Sequence, residues 1–506
     1  MFYLTCNIIK INISSRIRIM SNTEQKLHMH IFKYGLSLII SFLIIVAGCT
    51  VPGSGQKSSR IKFSIQNTLP IERKNVPIVL TIDQLQNVSP DITLNALVVV
   101  TGKERRETMI PAQADDINYD GERDQLVFLI NLAAEEKKEI SILYKPNVKA
   151  TVTLDVNKQT RAGIFPKLHA VAALESDLLA YVLKPNGAVV AYGKKREHLF
   201  TVDKMFQNEL DNNAPFSPEF RLHFETYNIN LTQRPQALII DIEKPEHRWV
   251  IRDLENQEDF YVRKSDEQLN IYKSIGLSLN ALLPKQDNPK HDNNVEDTTM
   301  VVLTPHVDRI GCGGFALWHK TEQRLIPIPN EGDYVRVLAN GSIRSIVQRI
   351  LPNWNVGGET FQLTYTTYIY GSNPWLEHYI HVDRQLPPDY AIVVGIPKLK
   401  ETFGVDEDKG LLWSWGTDPN ETDSLGMALI YPTAQTSGPV DTDPSLITIT
   451  LHPDDAGRLG YRSLAIWNGG INGIETQAEF KQYLQKMMTT MENVPRITFI
   501  PLEEGQ

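Results

Sequence analysis

The chain has 506 residues, 42% of them hydrophobic, and a formal net charge of −9. That length exceeds one ordinary core and calls for two or three domains, and the interspersed charges leave no basic stripe, which excludes nucleic acid as a partner. Cys6, Cys49 and Cys312 are too few for a disulfide scaffold or a thiolate metal cluster.

Residues 1–28 are rich in Ile, Asn, Lys and Ser, and the reading frame of a secretory leader begins afresh at Met20 or Met29. The apolar run 36–47 follows Lys33 and ends in Val46-Ala47-Gly48-Cys49. It is too short to span a bilayer and has the length of a signal-peptide core. Small residues placed directly before a cysteine resemble a bacterial lipobox, so Cys49 is expected to carry lipid and hold the mature chain in the cell envelope, at the outer membrane or its periplasmic face. Residues 1–48 are then leader and signal peptide. Residues 49–60, with their Gly and Ser, are a polar tether.

Short β-branched runs follow at 63–67, 77–82, 94–100, 126–130 and 140–144, separated by turn residues. This spacing predicts a small β-sandwich over 61–155. Strands continue at 178–183, 189–192, 238–242, 315–318, 343–350, 361–370, 375–383, 391–396, 425–431, 446–451 and 463–467, and residues 285–297 read as an exposed loop. Only 477–491 reads as a helix, with Phe480, Tyr483, Leu484 and Met487 at helical spacing. The fold class is therefore all-β, with residues 160–506 forming a large two-sheet antiparallel sandwich, and a monomer is expected.

Asp116, Asn118, Asp120 and Asp124, with Gly121 between them, follow the D-x-N-x-D-G spacing that wraps oxygen ligands around calcium. A hairpin turn built on Asp120-Gly121 explains the same residues. A full EF-hand fails, because the position that needs a bidentate glutamate is Val127. A structural calcium ion is the metal expected, and no cofactor is expected for catalysis. The glycine-rich stretch 311–314 lacks a dinucleotide frame and marks close backbone approach. His306 and His319 flank it without a zinc spacing.

Residues 375–383 alternate strictly: Leu376, Ile380 and Val382 face one way, while Trp375, Glu377, Tyr379, His381 and Asp383 face the other. An aromatic ring beside a carboxylate, a phenol and an imidazole is what a sugar site needs. The plain alternative is a half-buried sheet with a polar solvent face, on which His381 is incidental and His378, on the apolar face, is structural. Glu377 and Asp383 lie roughly 20 Å apart along one strand, too far for a hydrolase pair.

The residues 113–128, Glu175-Ser-Asp-Leu-Leu-Ala-Tyr181, 311–318 and Ile343-Arg344-Ser345 together resemble a bacterial family of domains of unknown function, number four-eight-six-one, met mainly in polysaccharide-degrading gene clusters. The likeness runs from about residue 60 to the end. The chain departs from the pattern after Ala180-Tyr181, where Val182-Leu183 stand in place of a basic residue. The resemblance implies a small sandwich followed by a β-supersandwich, similar in shape to galactose mutarotases and polysaccharide lyases. It further implies an enzyme acting on uronic-acid oligosaccharides.

β-Elimination suits such substrates: a base takes the proton α to the carboxylate, a cation steadies the enolate and an acid protonates the departing oxygen. His381 and Tyr379 are the leading base and acid, His306 a second base, and Arg344 a carboxylate clamp. Trp375, Glu377, Tyr365 and Trp354 would bind the sugar. The expected activity is a dehydratase or exo-lyase leaving an unsaturated uronic residue. The alternatives are a glycoside hydrolase, with Glu175 and Asp177 as a further pair, or a glycan-binding lipoprotein with Trp354, Trp375, Trp413 and Trp415 as its platform.

Overall fold

The computed structural model describes residues 59–102, 106–118, 120–146, 158–164, 171–195, 199, 224–226, 237–243, 248–253, 258–265, 268–274, 300–304, 310–329, 333–417, 423–471 and 473–500, with backbone alone for the strands from 224 to 302. Cys49, the leader, residues 285–297 and His306 lie outside these residues.

The first sandwich pairs a five-stranded sheet with a three-stranded one. The larger sheet runs Arg496–Ile500, Ser59–Gln66, Lys137–Tyr144, Leu97–Thr101, Thr108–Ile110, and the smaller runs Arg73–Thr81, Gln125–Leu132, Ala112–Asp115. Alternate residues such as Ile61, Phe63, Ile65, Phe128, Ile140 and Ile142 meet between the sheets and exclude water, the dominant favourable term in such a core. The outermost strand of this N-terminal sandwich is the C-terminal one: Phe63 stands opposite Phe499 in an antiparallel ladder. Residues 496–500 therefore depart from the expected second domain. A local sequence pattern gives a strand its period but not its partner.

The second body is built on an eight-stranded antiparallel sheet in the order Tyr334–Asn340, Arg344–Val356, Glu359–Tyr370, Trp375–Val382, Arg458–Trp467, Ser424–Ile430, Leu411–Thr417, Thr402–Asp406. Two five-stranded sheets contribute to the core against its inner face. One runs from Met300–Val302 through Val189–Lys194, Leu179–Leu183 and Ala172–Ser176 to Thr160–Gly163. The other runs from Arg324–Ile326 through Phe315–His319, Tyr390–Pro397 and Leu446–Leu451 to Thr436–Pro439. Side chains from all three sheets, including Leu174, Leu317, Ile369, Leu376, Ile392 and Leu429, form one continuous core. A further five-stranded sheet lies within residues 224–274.

The helix Gln477–Glu492 starts at a capping box, in which the Thr476 hydroxyl accepts from Glu479 N at 3.2 Å and the Glu479 carboxylate accepts from Thr476 N at 3.1 Å. Phe480, Leu484, Met487 and Met488 bury one stripe of it on the outer face of the eight-stranded sheet, against Leu411, Trp415, Ala428, Leu464 and Ile466. Phe480 rests on Gly426, where a β-carbon would come within 2.6 Å of the ring. Arg73 of the first sandwich donates to Thr490 O at 2.9 Å and Asn493 O at 2.6 Å, satisfying carbonyls at the helix C-terminus. The helix covers the part of the outer face formed by strands 411–417 and 424–430 and by Leu464 and Ile466. Polar residues lie on strands 359–370 and 375–382 and at Arg458 and Arg462.

Candidate active site

The strand Trp375–Val382 sorts its side chains as its alternation predicts. Leu376, His378, Ile380 and Val382 are buried, and Tyr379 and His381 are exposed. Across the ladders, one row of the outer face reads Tyr368, Glu377, Arg462, the next Gln348, Thr366, Tyr379, Gly460, and the next Thr364, His381, Arg458. These three rows form the candidate site.

Glu377 accepts from Arg462 Nε at 2.7 Å and Nη2 at 2.5 Å, and this pair seals the carboxylate to 7% exposure. The Tyr379 hydroxyl points at the other Glu377 oxygen from 3.4 Å, a long contact. The Glu377 charge, followed by desolvation, pushes the phenol pKa well up, so Tyr379 holds its proton at any physiological pH. Tyr379 nevertheless stays 47% exposed. Its ring lies over Gly460, where a β-carbon would meet it at 3.3 Å, and meets Tyr368 edge-on at 5.3 Å. Arg458 donates to the Asp454 carboxylate from 3.3 Å and keeps an exposed side chain.

Behind this face His378 is sealed. Tyr365 OH bonds its Nδ1 at 2.7 Å, Ser463 Oγ its Nε2 at 2.8 Å, and the Tyr461 ring stacks on it at 4.6 Å. Burial drives its pKa down to about 3, so it is neutral and structural. The glycine-rich stretch packs on the same residues: a β-carbon at Gly313 would lie 2.1 Å from Ser463 Cβ and 3.3 Å from His378 Nε2. This is the close approach its sequence implied. Cys312 is free and buried there, its thiol pushed up to about 12 by burial.

Several expected site residues belong elsewhere. Arg344 is 1% exposed and cannot clamp a substrate: its Nε pairs with Asp115 at 2.6 Å and its Nη2 donates to Gln125 at 2.8 Å. Gln113 closes this joint, accepting from Arg344 N at 3.1 Å and donating to Arg344 O at 2.9 Å, so the motifs carrying the family resemblance dock one sandwich on the other. Tyr365 faces the core with Phe361, Leu363 and Ile369, a parity that the apolar residues of 361–370 made legible. Trp354 is 3% exposed in that core, and Trp415 is 4% exposed under the helix. Trp375 packs, half-buried, beside the helix residues with its indole N–H unpartnered, and Trp413 is partly buried with Lys481 Nζ 4.4 Å over its ring. Glu175 forms a fully buried ion pair with Lys194 at 2.7 Å, and Asp177 accepts from Ser372, which leaves neither as a hydrolase acid.

The acidic loop closes on itself. Asp124 accepts from Ile117 N at 2.5 Å and Asn118 N at 3.0 Å, Asp116 from Asp120 N and Gly121 N, and Asp120 from Glu122 N. Asn118 Nδ2 donates to Asp120 at 2.9 Å and to Asp124 at 3.0 Å. Among the described residues no group of three or more His, Cys, Asp or Glu is arranged to hold a metal. The loop joins the paired strands Ala112–Asp115 and Gln125–Leu132.

Tyr368, Arg458 and Arg462 escaped the sequence reading. Arg458, Gly460 and Arg462 do alternate, but only the tertiary pairing shows that their strand neighbours 375–382.

An eight-stranded sheet backed by two smaller sheets, with a polar half-face outside, defines a large antiparallel β-sandwich protein. The model of the family described as Domain of unknown function (DUF4861) matches residues 65–181 and 308–497, and the chain belongs to that family. The 224–274 sheet falls between the two matched segments. No curated protein matches the chain. A protein in the Glycosyl Hydrolase Family 38 from Enterococcus faecalis resembles it at 10% identity and a TM-score of 0.40, over 88% of this chain and 48% of that one. An alpha-mannosidase from Enterococcus faecalis does so at 9% and 0.38, over 88% and 46%. The chain spans about half the length of each, and likeness at this level carries no chemistry across.

Proposed function

We propose that this protein is a carbohydrate-active lyase that eliminates water from C4 of a uronic acid at the non-reducing end of an oligosaccharide, or a sugar from C4 of a uronic acid that then becomes that end. The observation that supports it best is the pair Tyr379 and His381, exposed two residues apart on one open face beside Arg458 and Arg462. A phenol held protonated suits the acid role, and an accessible imidazole suits the base.

In this reading His381 takes the proton from C5, α to the carboxylate. Arg458, and the Nη1 donors of Arg462 that lie outside its pair with Glu377, steady the carboxylate as it gains enolate charge. Tyr379 gives its proton to the oxygen leaving C4, the C4–O bond breaks, and a C4–C5 double bond remains. Arg462 thus takes the part expected of Arg344. Glu377 serves by orienting Arg462. Attachment to the envelope through lipid on Cys49 belongs to the same proposal, and mass spectrometry of the membrane-extracted protein tests it.

Incubation with uronic-acid oligosaccharides is expected to produce the ultraviolet absorbance of a conjugated double bond, with mass spectrometry separating loss of water from chain scission. Cleavage without new absorbance would replace the lyase with a hydrolase. Binding without any product would leave a glycan-binding surface.

A further inference from the structure

The eight-stranded sheet has a gap. The ladder between strands 375–382 and 458–467 begins at Trp375 opposite Leu464, so Ala465, Ile466 and Trp467 continue with a partner strand on one side only. In place of a strand partner, the Tyr181 hydroxyl accepts from Ala465 N at 3.2 Å while donating to Pro374 O at 2.5 Å. Ser372 sits at the rim with a φ of 56°, pinned by Asp177, which accepts from its N–H at 2.5 Å and its hydroxyl at 2.8 Å.

The gap encloses about 160 Å³, lined by Leu178, Leu179, Pro374, Ile466, Trp467 and Tyr483 among others. One buried polar group of its lining lacks a partner. Trp467 is 3% exposed and its Nε1 has no hydrogen bond. Its ring cannot swing to find one, because β-carbons at Gly193 and Gly469 would lie 2.4 and 2.3 Å from it, so the backbone closes against the indole at both places. Tyr483, a partly buried residue of the helix, also lines the gap.

These features define an occupant. A cavity of about 150 Å³ takes one benzene ring, so the gap has room for one six-membered ring. No charged residue is among its lining, which favours a neutral occupant. The aliphatic walls suit C–H faces, while the indole N–H requires an acceptor and the phenol suits a hydroxyl partner. We propose that this gap is a binding pocket for one neutral pyranose residue of a glycan, separate from the face that carries Tyr379 and His381.

Saturation-transfer NMR on the full chain, with D-galactose, D-xylose, D-glucuronate and toluene as probes, tests this. A saturable signal from at least one neutral sugar is expected. It should weaken about five- to tenfold in Tyr483→Phe, which loses one hydroxyl from a half-buried position, and by a similar factor in Trp467→Phe. The absence of a saturable neutral-sugar signal from folded protein would overturn the proposal. So would unchanged affinity in a folded Tyr483→Phe or Trp467→Phe variant, equal affinity for D-glucuronate, or tighter binding of toluene. The proposal does not depend on the elimination reading, because binding is scored here without turnover.

Discussion

The two faces of the strand Trp375–Val382 place the same residue types in opposite settings. His378 is wholly buried, bonded through both ring nitrogens and held neutral, whereas His381, three residues on, is exposed. Tyr365 spends its hydroxyl on His378 inside, while Tyr379 presents its phenol outside. Residue type therefore says little about role in this sheet. Facing decides it, because burial removes the water that a proton-transfer group exchanges with and commits its polar atoms to fixed partners. Arg344 sharpens the contrast: its strand belongs to the same sheet, yet the first sandwich seals it as completely as any core residue.

Changes on the exposed side test that contrast most strongly. His381→Ala and Tyr379→Phe are each expected to lower turnover of uronic-acid oligosaccharides by about 10²- to 10⁴-fold, with melting temperature unchanged. Full turnover in both variants would remove the active site from this face. Arg344→Ala should act in the other currency, destabilising the fold by about 3–5 kcal/mol in urea titrations, because Asp115 is left as a buried unpaired charge.

The sealed histidine predicts a pH dependence. Burial lowers His378 from 6.5 to about 3, so the unfolded chain binds a proton that the folded chain refuses. Its contribution is complete above pH 6.5 and is lost as pH falls towards 3, at up to about 1.4 kcal/mol per unit. Unfolding midpoints followed from neutral to acidic pH should show this slope, and His378→Gln should flatten it. Smallest of all, Tyr365→Phe is expected to cost about 1 kcal/mol by removing one buried hydrogen bond, with no direct effect on turnover.

Much of the fold was legible because a strand's period is local. The alternation of 375–383, the helical spacing of Phe480, Leu484 and Met487, and the turn residues between strands all reflect contacts within one element. The candidate site was half legible for the same reason. Tyr379, His381 and Glu377 could be placed on one face from sequence, but their neighbours on adjacent strands could not. Trp375 looked like a platform because its parity is correct, and only the helix packed beside it takes that face away.

By itself, then, the sequence determined the all-β class, the family, and which residues of a strand share a side, since each depends on composition, motif or a two-residue repeat. The tertiary structure alone decided that the last strand, 496–500, joins the first sheet and that Arg344 locks the two sandwiches together. It alone brought Arg462 beside Glu377 and left the gap next to Trp467. Each of these depends on pairing between residues far apart in the chain, which no local period encodes.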